Sequence, residues 1–325
     1  MKKMLRLLAF SYLIIQPMLS LATTQHWREW VADVRREALG QGVSARTFDN
    51  AFSTIHEPNR RVRGLSKHQP EHRLTFEKYV HTRASKYRIL MGVRNYKQHK
   101  HLIDQIAQEY NVDPCFIVSF WGMETSYGTY MGDFPVIQSL ATLAYDSNRK
   151  PFFRKQLLLA LQILDEGHVS LKDYKGEWAG ASGQPQFLPS SFKQYAVDYD
   201  GDGRKDIWKS KPDVFASIAN YMKQNGWQGL EPWAIKVRLP RNFDDKLEGR
   251  STVKLASEWN AMGIRTLDGK ALPYQHLEGS IIKPYGGPTF LVFPNYKMIL
   301  RYNHSIYYAG AIGYMADRIC QRKGQ

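Results

Sequence analysis

Two cysteines in 325 residues are too few to build a disulfide scaffold. Acidic residues are also scarce: 30 Asp and Glu stand against 45 Lys and Arg, a formal net charge of +15. Such a surplus attracts a polyanion, and by itself leaves nucleic acid, an anionic membrane face and an acidic cell-wall polymer open. Beyond residue 22 no apolar run approaches the roughly 20 residues that a spanning helix needs. Internal repeats and low-complexity linkers are missing as well. What is present is a hydrophobic fraction of 43% with 13% aromatics, which excludes a disordered chain. The length allows about two domains and a sizeable core.

The N-terminus narrows the partner. Lys2, Lys3 and Arg6 lead into an apolar stretch from Leu7 to Leu21, and Ser20-Leu21-Ala22 offers small residues for a cut after Ala22. This is the pattern of a secretory signal, and about 15 residues is short for a membrane anchor. No cysteine lies near the cut, so a lipid anchor is not expected. Residues 1–22 are predicted to be a removable leader, and the mature protein to be periplasmic and unanchored. Removing three basic and no acidic residues from +15 leaves +12. Export makes nucleic acid an unexpected partner. An oxidising compartment leaves Cys115 and Cys320 open between a disulfide and two separate thiols.

Apolar spacing predicts helices over 27–39, 135–146, 151–166, 212–225 and 304–321, with a basic, helix-favouring stretch over 72–110. Asn111-Val112-Asp113-Pro114 reads as a helix start, with Asp113 as N-cap and Pro114 in the first turn. Trp233–Leu239 and Thr289–Leu300 are rich in β-formers, broken by Pro and Gly. The predicted organisation is α+β and mostly α. It comprises an N-terminal helical region (23–110), a core (111–230), a small β-rich domain (231–300) and a C-terminal helix returning to the core (301–325).

Three constellations carry chemistry. In the segment from Cys115 to Gly128, Ile117, Phe120, Trp121 and Glu124 share one helical face, so the carboxylate extends an apolar stripe. Desolvation there would raise its pKa into the range a general acid needs; the alternative is a Glu turned to solvent at a helix end. The second, Trp178 to Ser191, combines Gly180 and Gly183 with the amides of Gln184 and Gln186 and the rings of Trp178 and Phe187. Amides and aromatics suit a neutral polar ligand such as a glycan, and a structural turn is the alternative. The third, Asp198-Tyr199-Asp200-Gly201-Asp202-Gly203-Arg204, follows the spacing of an EF-hand calcium loop. Lys209 replaces the usual Glu at position 12, and Asp213 stands four residues later as a substitute ligand.

Glu124-Thr125-Ser126-Tyr127-Gly128, Gln138 to Tyr145, Trp178-Ala179-Gly180-Ala181, Gly183-Gln184-Pro185-Gln186-Phe187, Pro189-Ser190-Ser191, the acidic loop and Ser217 to Tyr221 occur in this order. Gln69-Pro70-Glu71 lies upstream and Tyr302-Asn303-His304-Ser305 downstream. Together they resemble the lytic murein transglycosylase B family of bacterial cell-wall enzymes. The resemblance implies a lysozyme-like core and cleavage of the MurNAc–GlcNAc bond of peptidoglycan glycan strands, leaving a 1,6-anhydromuramoyl end. It implies Glu124 as the single general acid and base, and Gln186, Tyr302, Asn303 and Tyr308 as residues that hold the glycan. It implies a structural Ca²⁺ on Asp198, Asp200, Asp202, the carbonyl of Arg204 and Asp213, with no organic cofactor. One departure stands out: Glu177, before Trp178, replaces a small hydroxyl residue. A second carboxylate there would raise the pKa of Glu124 by like-charge repulsion, permit lysozyme-like hydrolysis, or simply point outward. A non-catalytic peptidoglycan-binding scaffold is the other alternative. The positive charge, with Arg60, Arg61 and Arg63 among its carriers, fits the anionic wall polymer.

Overall fold

The computed structural model describes residues 25–67 and 74–321. The expected leader at 1–22 and the Gln69-Pro70-Glu71 motif lie outside the described residues. The chain divides into two compact units, one of residues 1–70 and 131–194 and the other of 71–130 and 195–325. This division cuts across the linear partition expected from the sequence, because helices distant along the chain bury their apolar faces on each other. Among the described residues no helix is long and apolar enough to cross a membrane.

The first unit is helical. Helix α1 occupies 25–40, and α2 (Ala45–Phe52) and α3 (Arg60–Lys67) follow it. After a two-residue strand β1 (Phe134–Pro135) come α8 (Val136–Asp146) and α9 (Lys150–Asp165), the helices of the intervening chain belonging to the other unit. Strand β2 (Lys175–Gly176) pairs with β1. Helix α8 is buried along most of its length and packs against α9, in which Phe153, Leu157 and Leu161 are buried. Trp27 of α1 stacks on Trp30 and meets Tyr145 edge-on at 5.0 Å. Arg154 of α9 bridges Asp33 and Glu37 of α1, each at 2.6 Å. The three arginines expected to carry the charge surplus are each matched with an acid: Arg60 with Glu57 (3.9 Å), Arg61 with Asp133 (3.3 Å) and Arg63 with Asp146 (2.6 Å).

The second unit holds α4 (Phe76–Arg83), α5 (Lys86–Gln98), α6 (Lys100–Tyr110), α7 (Pro114–Thr125) and α11 (Lys211–Gln224), α10 (Pro189–Tyr195) ending at its border. The stretch expected as one helix-favouring run is thus three helices. Ser85 caps the second by accepting from the Arg88 N–H, and His99 separates the second from the third. Five antiparallel strands then form one sheet in the order β4-β6-β7-β3-β5. They are β3 (Ala234–Arg238), β4 (Lys254–Leu255), β5 (Arg265–Thr266), β6 (Glu278–Ile282) and β7 (Phe290–Val292). Ile235 and Ile281 flank Leu291 in register, and with Trp259 of α12 (Ala256–Ala261) and Phe293 they form the sheet's core. The β-forming run expected over 289–300 ends early. Pro294 has no N–H for a ladder and opens helix α13 (Pro294–Tyr302) instead.

Helix α7 organises this unit. Its N-cap is the expected one: the Asp113 carboxylate accepts from the Cys115 N–H at 2.9 Å, with Pro114 in the first turn. From Cys115 to Gly122 every residue is buried, so the helix is covered all round rather than along a stripe, as befits a helix apolar on every face. Helix α14 (Ile306–Ile319) packs along it; the Ser119 hydroxyl donates to the Ile312 carbonyl at 2.7 Å. Cys115 and Cys320 are joined by a disulfide across 205 residues of sequence, which settles the open choice in favour of the pair. Closing so long a loop restricts the unfolded chain. Replacing both cysteines by serine should lower the unfolding free energy by about 2–4 kcal/mol. Equilibrium urea denaturation measures this, and an unchanged midpoint would contradict it.

Candidate active site

Glu124 stands one residue before the end of α7. The next three residues, Ser126 (φ 49°), Tyr127 (φ 65°) and Gly128 (φ 81°), are all left-handed, so the helix stops at Thr125 rather than running on to Gly128. For Ser126 and Tyr127 that conformation costs about 1 kcal/mol or more each. The Ser126 N–H returns to the Gly122 carbonyl at 3.1 Å, and the Tyr127 hydroxyl donates to the Arg88 carbonyl at 2.6 Å. The Tyr127 ring lies against Gly122, where an added Cβ would meet it at 2.5 Å; only glycine fits. The strained turn is therefore held by packing, and it fixes where the Glu124 side chain begins.

The half-buried Glu124 accepts a hydrogen bond from the Tyr308 hydroxyl. Burial pushes its pKa up from 4.5 to about 7, while the Tyr308 bond pulls the other way. The fold therefore disfavours the ionised form by about 3 kcal/mol. Tyr308 lies in the first turn of α14, and its N–H is accepted by Ser305, the N-cap, at 3.3 Å. Tyr302 ends α13. Its ring stacks on Phe120 at 4.6 Å and meets Tyr221 edge-on at 4.7 Å. Phe120 and Glu124 are four residues apart on α7, so the stack and the carboxyl share a face. Asn303 follows, exposed, its N–H donating to the Ile299 carbonyl at 3.2 Å.

Burial, with the charge of Glu124 added, raises the phenols of Tyr302 and Tyr308 well above their ordinary value. Both stay protonated at neutral pH and remain hydrogen-bond donors. Tyr79 of α4 is raised mainly by burial, and the charge of Glu124 reaches it too; its ring meets Tyr307 edge-on at 5.7 Å. Sequence reasoning missed Tyr79, because a single aromatic in a basic helical stretch gives no signal of what it will face.

Gln186 and Glu177 belong to the first unit. Gln186 is left-handed (φ 52°), and its amide nitrogen donates to the carbonyls of Met131 (3.1 Å) and Gly183 (3.0 Å). That nitrogen holds the loop, which the paired backbone bonds between Ser182 and Phe187 also tie. Glu177 is half-buried, its pKa raised first by burial and then by the charge of Asp133.

In the acidic loop the carboxylate oxygens of Asp198, Asp200 and Asp202 lie within 4.8 Å of one another. Gly201 (φ 74°) and Gly203 (φ 89°) make the tight turn, and both N–H groups donate to Asp198, at 2.8 and 2.9 Å. Three carboxylates so close form an all-oxygen donor set of the kind a hard divalent cation takes. Asp213 stands outside this cluster. It is buried, and its oxygens accept from the backbone N–H groups of Tyr199 (2.8 Å) and Asp206 (2.7 Å), so it ties the loop to α11.

A family model described as the transglycosylase SLT domain matches residues 26–317. The membrane-bound lytic murein transglycosylase B of Escherichia coli (strain K12) is 31% identical over 243 residues, 72% of this chain and 64% of that protein. The chain thus spans less than two thirds of that relative's length. The structure of SltB3 from Pseudomonas aeruginosa in complex with NAG-anhNAM-pentapeptide is similar with a TM-score of 0.88 and 41% identity, covering 90% of this chain and 79% of that one. The structure of the Escherichia coli lytic transglycosylase Slt35 in complex with calcium is similar with a TM-score of 0.75 and 26% identity, covering 91% and 94%. The mostly helical, lysozyme-like α+β fold expected from the sequence is the one these structures share with the chain. With the model matching most of its length, the chain belongs to the transglycosylase SLT domain family.

Proposed function

We propose that this protein is a lytic transglycosylase. It cleaves the MurNAc–GlcNAc β-1,4 bond of peptidoglycan and leaves a 1,6-anhydromuramoyl end. The observation that carries the reading is the carboxyl of Glu124, held by burial at a pKa of about 7 under a hydrogen bond from Tyr308. Near neutral pH such a group populates both forms, which one residue acting twice requires. Protonated Glu124 gives its proton to the glycosidic oxygen as the bond to C1 breaks. The muramoyl N-acetyl group supports the cationic C1. Ionised Glu124 then takes the proton of the C6 hydroxyl as that oxygen bonds to C1, and the acid is restored. Water is neither consumed nor needed, so a second carboxylate is not required, unlike ordinary glycoside hydrolysis.

Tyr302, Asn303 and Gln186 are proposed to hold the glycan, and Tyr308 to keep the Glu124 carboxyl in one orientation. The complex of SltB3 with NAG-anhNAM-pentapeptide supports the substrate and the product. The leader pattern at 1–22 supports a periplasmic location. Asp198, Asp200, Asp202 and the Arg204 carbonyl are proposed to hold a structural Ca²⁺, consistent with the calcium complex of Slt35. The ion would neutralise three like charges crowded on one loop. Asp213 would act from behind, through the loop backbone that it already binds.

Glu124→Gln should lower the release of anhydro-muropeptides from sacculi at least about 10³-fold, read by mass spectrometry. Reducing ends from the wild type would indicate a hydrolase, and no cleavage a scaffold. The folded pKa of Glu124 is raised, so its contribution to stability fades as pH rises through 7. The glutamine variant should therefore melt no lower than the wild type at pH 8, which separates lost chemistry from lost fold. Wild-type activity should fall on the alkaline side as pH passes about 7. Tyr308→Phe removes a bond that favours the ionised form, so this limb should move to higher pH while kcat drops; a limb that stays in place sinks the assignment. For the ion, added Ca²⁺ should raise Tm relative to chelator, and Asp200→Ala should abolish the difference. Identical melting curves in both conditions would remove the site.

A further inference from the structure

With Arg60, Arg61 and Arg63 matched to acids, the positive surplus must be carried elsewhere. One concentration of it lies in the second unit. Arg250, Lys297, Arg301 and His304, with Leu300, line an open groove of about 430 Å³. All four polar side chains are exposed, and among the described residues none of them is paired with a carboxylate within ion-pair distance. Lys297 and Arg301 are four residues apart on α13 and so share its face, and His304 follows just past the helix end. A concave patch of one sign concentrates ions of the opposite sign.

The position of the groove says what that is. The turn of α13 that presents Arg301 also presents Tyr302, whose ring stacks on Phe120 of the helix that carries Glu124. Arg301 is close enough to Tyr221, the other partner of Tyr302, to pull against the burial that raises that phenol. The groove therefore adjoins, along the chain, residues proposed to hold the glycan: Arg301 precedes Tyr302, and His304 follows Asn303. The sugar backbone of an N-acetylated strand is uncharged and gains nothing from three cations. The negative charge of peptidoglycan lies in the carboxylates of its peptide stems.

We infer that the groove of Arg250, Lys297, Arg301 and His304 binds the carboxylates of a peptide stem on the strand held at Glu124. This inference rests on the proposed peptidoglycan substrate, and it names stem-bearing strands as the preferred form. The contact is between exposed charges, so each pair is weak, several act together, and salt screens them.

The test reads binding without turnover, so it stands whether or not the chain proves to be a transglycosylase. In the full chain carrying Glu124→Gln, affinity is measured for glycan strands with intact stems and for β-1,4-linked N-acetylglucosamine strands of the same length, which carry neither stem nor lactyl carboxylate. Stem-bearing strands should bind about tenfold more tightly at low salt, and the preference should shrink as salt rises. Adding Lys297→Glu and Arg301→Glu should erase the preference, and Lys297→Gln with Arg301→Gln should weaken it less. In the active enzyme the same double charge reversal should raise KM for intact sacculi and leave kcat within about twofold. Equal binding of both strands by the parent, or a preference that survives charge reversal, overturns the inference. So does binding to anionic phospholipid vesicles that exceeds binding to stem-bearing strands and is lost in the same variant.

Discussion

The proposed chemistry depends on keeping one carboxyl group partly out of water at the end of a helix that is apolar on every side. Helix α7 is covered along its length, so its last turn inherits surroundings that disfavour charge, and Glu124 is held near neutrality by about 3 kcal/mol. That cost is tolerable because the same helix is secured at both ends. The disulfide to Cys320 and the Ser119 bond to Ile312 hold it to α14. Tyr127, lying on Gly122, holds the left-handed exit. Since α14 also carries Tyr308, the element that secures α7 delivers the hydroxyl that meets its carboxyl.

The aromatic groups near Glu124 follow from the same constraint. Phenols raised well above their ordinary range cannot compete for the proton that Glu124 is proposed to exchange, yet they still donate hydrogen bonds. Of these three groups, Glu124 is the one that burial moves toward neutral pH. Glu177 does not need to enter this account, because burial suffices to raise Glu124, and the upward shift of Glu177 has its own causes in burial and Asp133. Charge is organised elsewhere by pairing. Arginines of the first unit meet acids, three aspartates crowd on one loop, and among the described residues the cations of the groove along α13 have no carboxylate partner.

Much of this was legible before any coordinates. The alternation of apolar residues located α8, α9, α11 and α14 to within two residues, and Asp113-Pro114 marked the start of α7, because caps and periodicity are local. Glu124 was legible as well, since a lone acid in an apolar helical run is conspicuous. The acidic loop was readable by spacing alone, although the role of Asp213 was not. Its oxygens are turned onto backbone N–H groups that become neighbours only after the loop folds over α11.

The sequence by itself determined which residues could titrate, which segments were helical, and which family the ordered motifs resemble. Those properties depend on residue type and on neighbours a few positions away. The tertiary structure decided that Cys115 and Cys320 pair and that Tyr308 meets Glu124 across 184 positions. It decided too that the charge of Glu124 reaches Tyr79, that Arg61 and Arg63 meet acids, and that among the described residues no acid pairs with Arg301. Each of these is a long-range meeting of side chains, and a pKa or an unbalanced charge exists only once burial has chosen the neighbours.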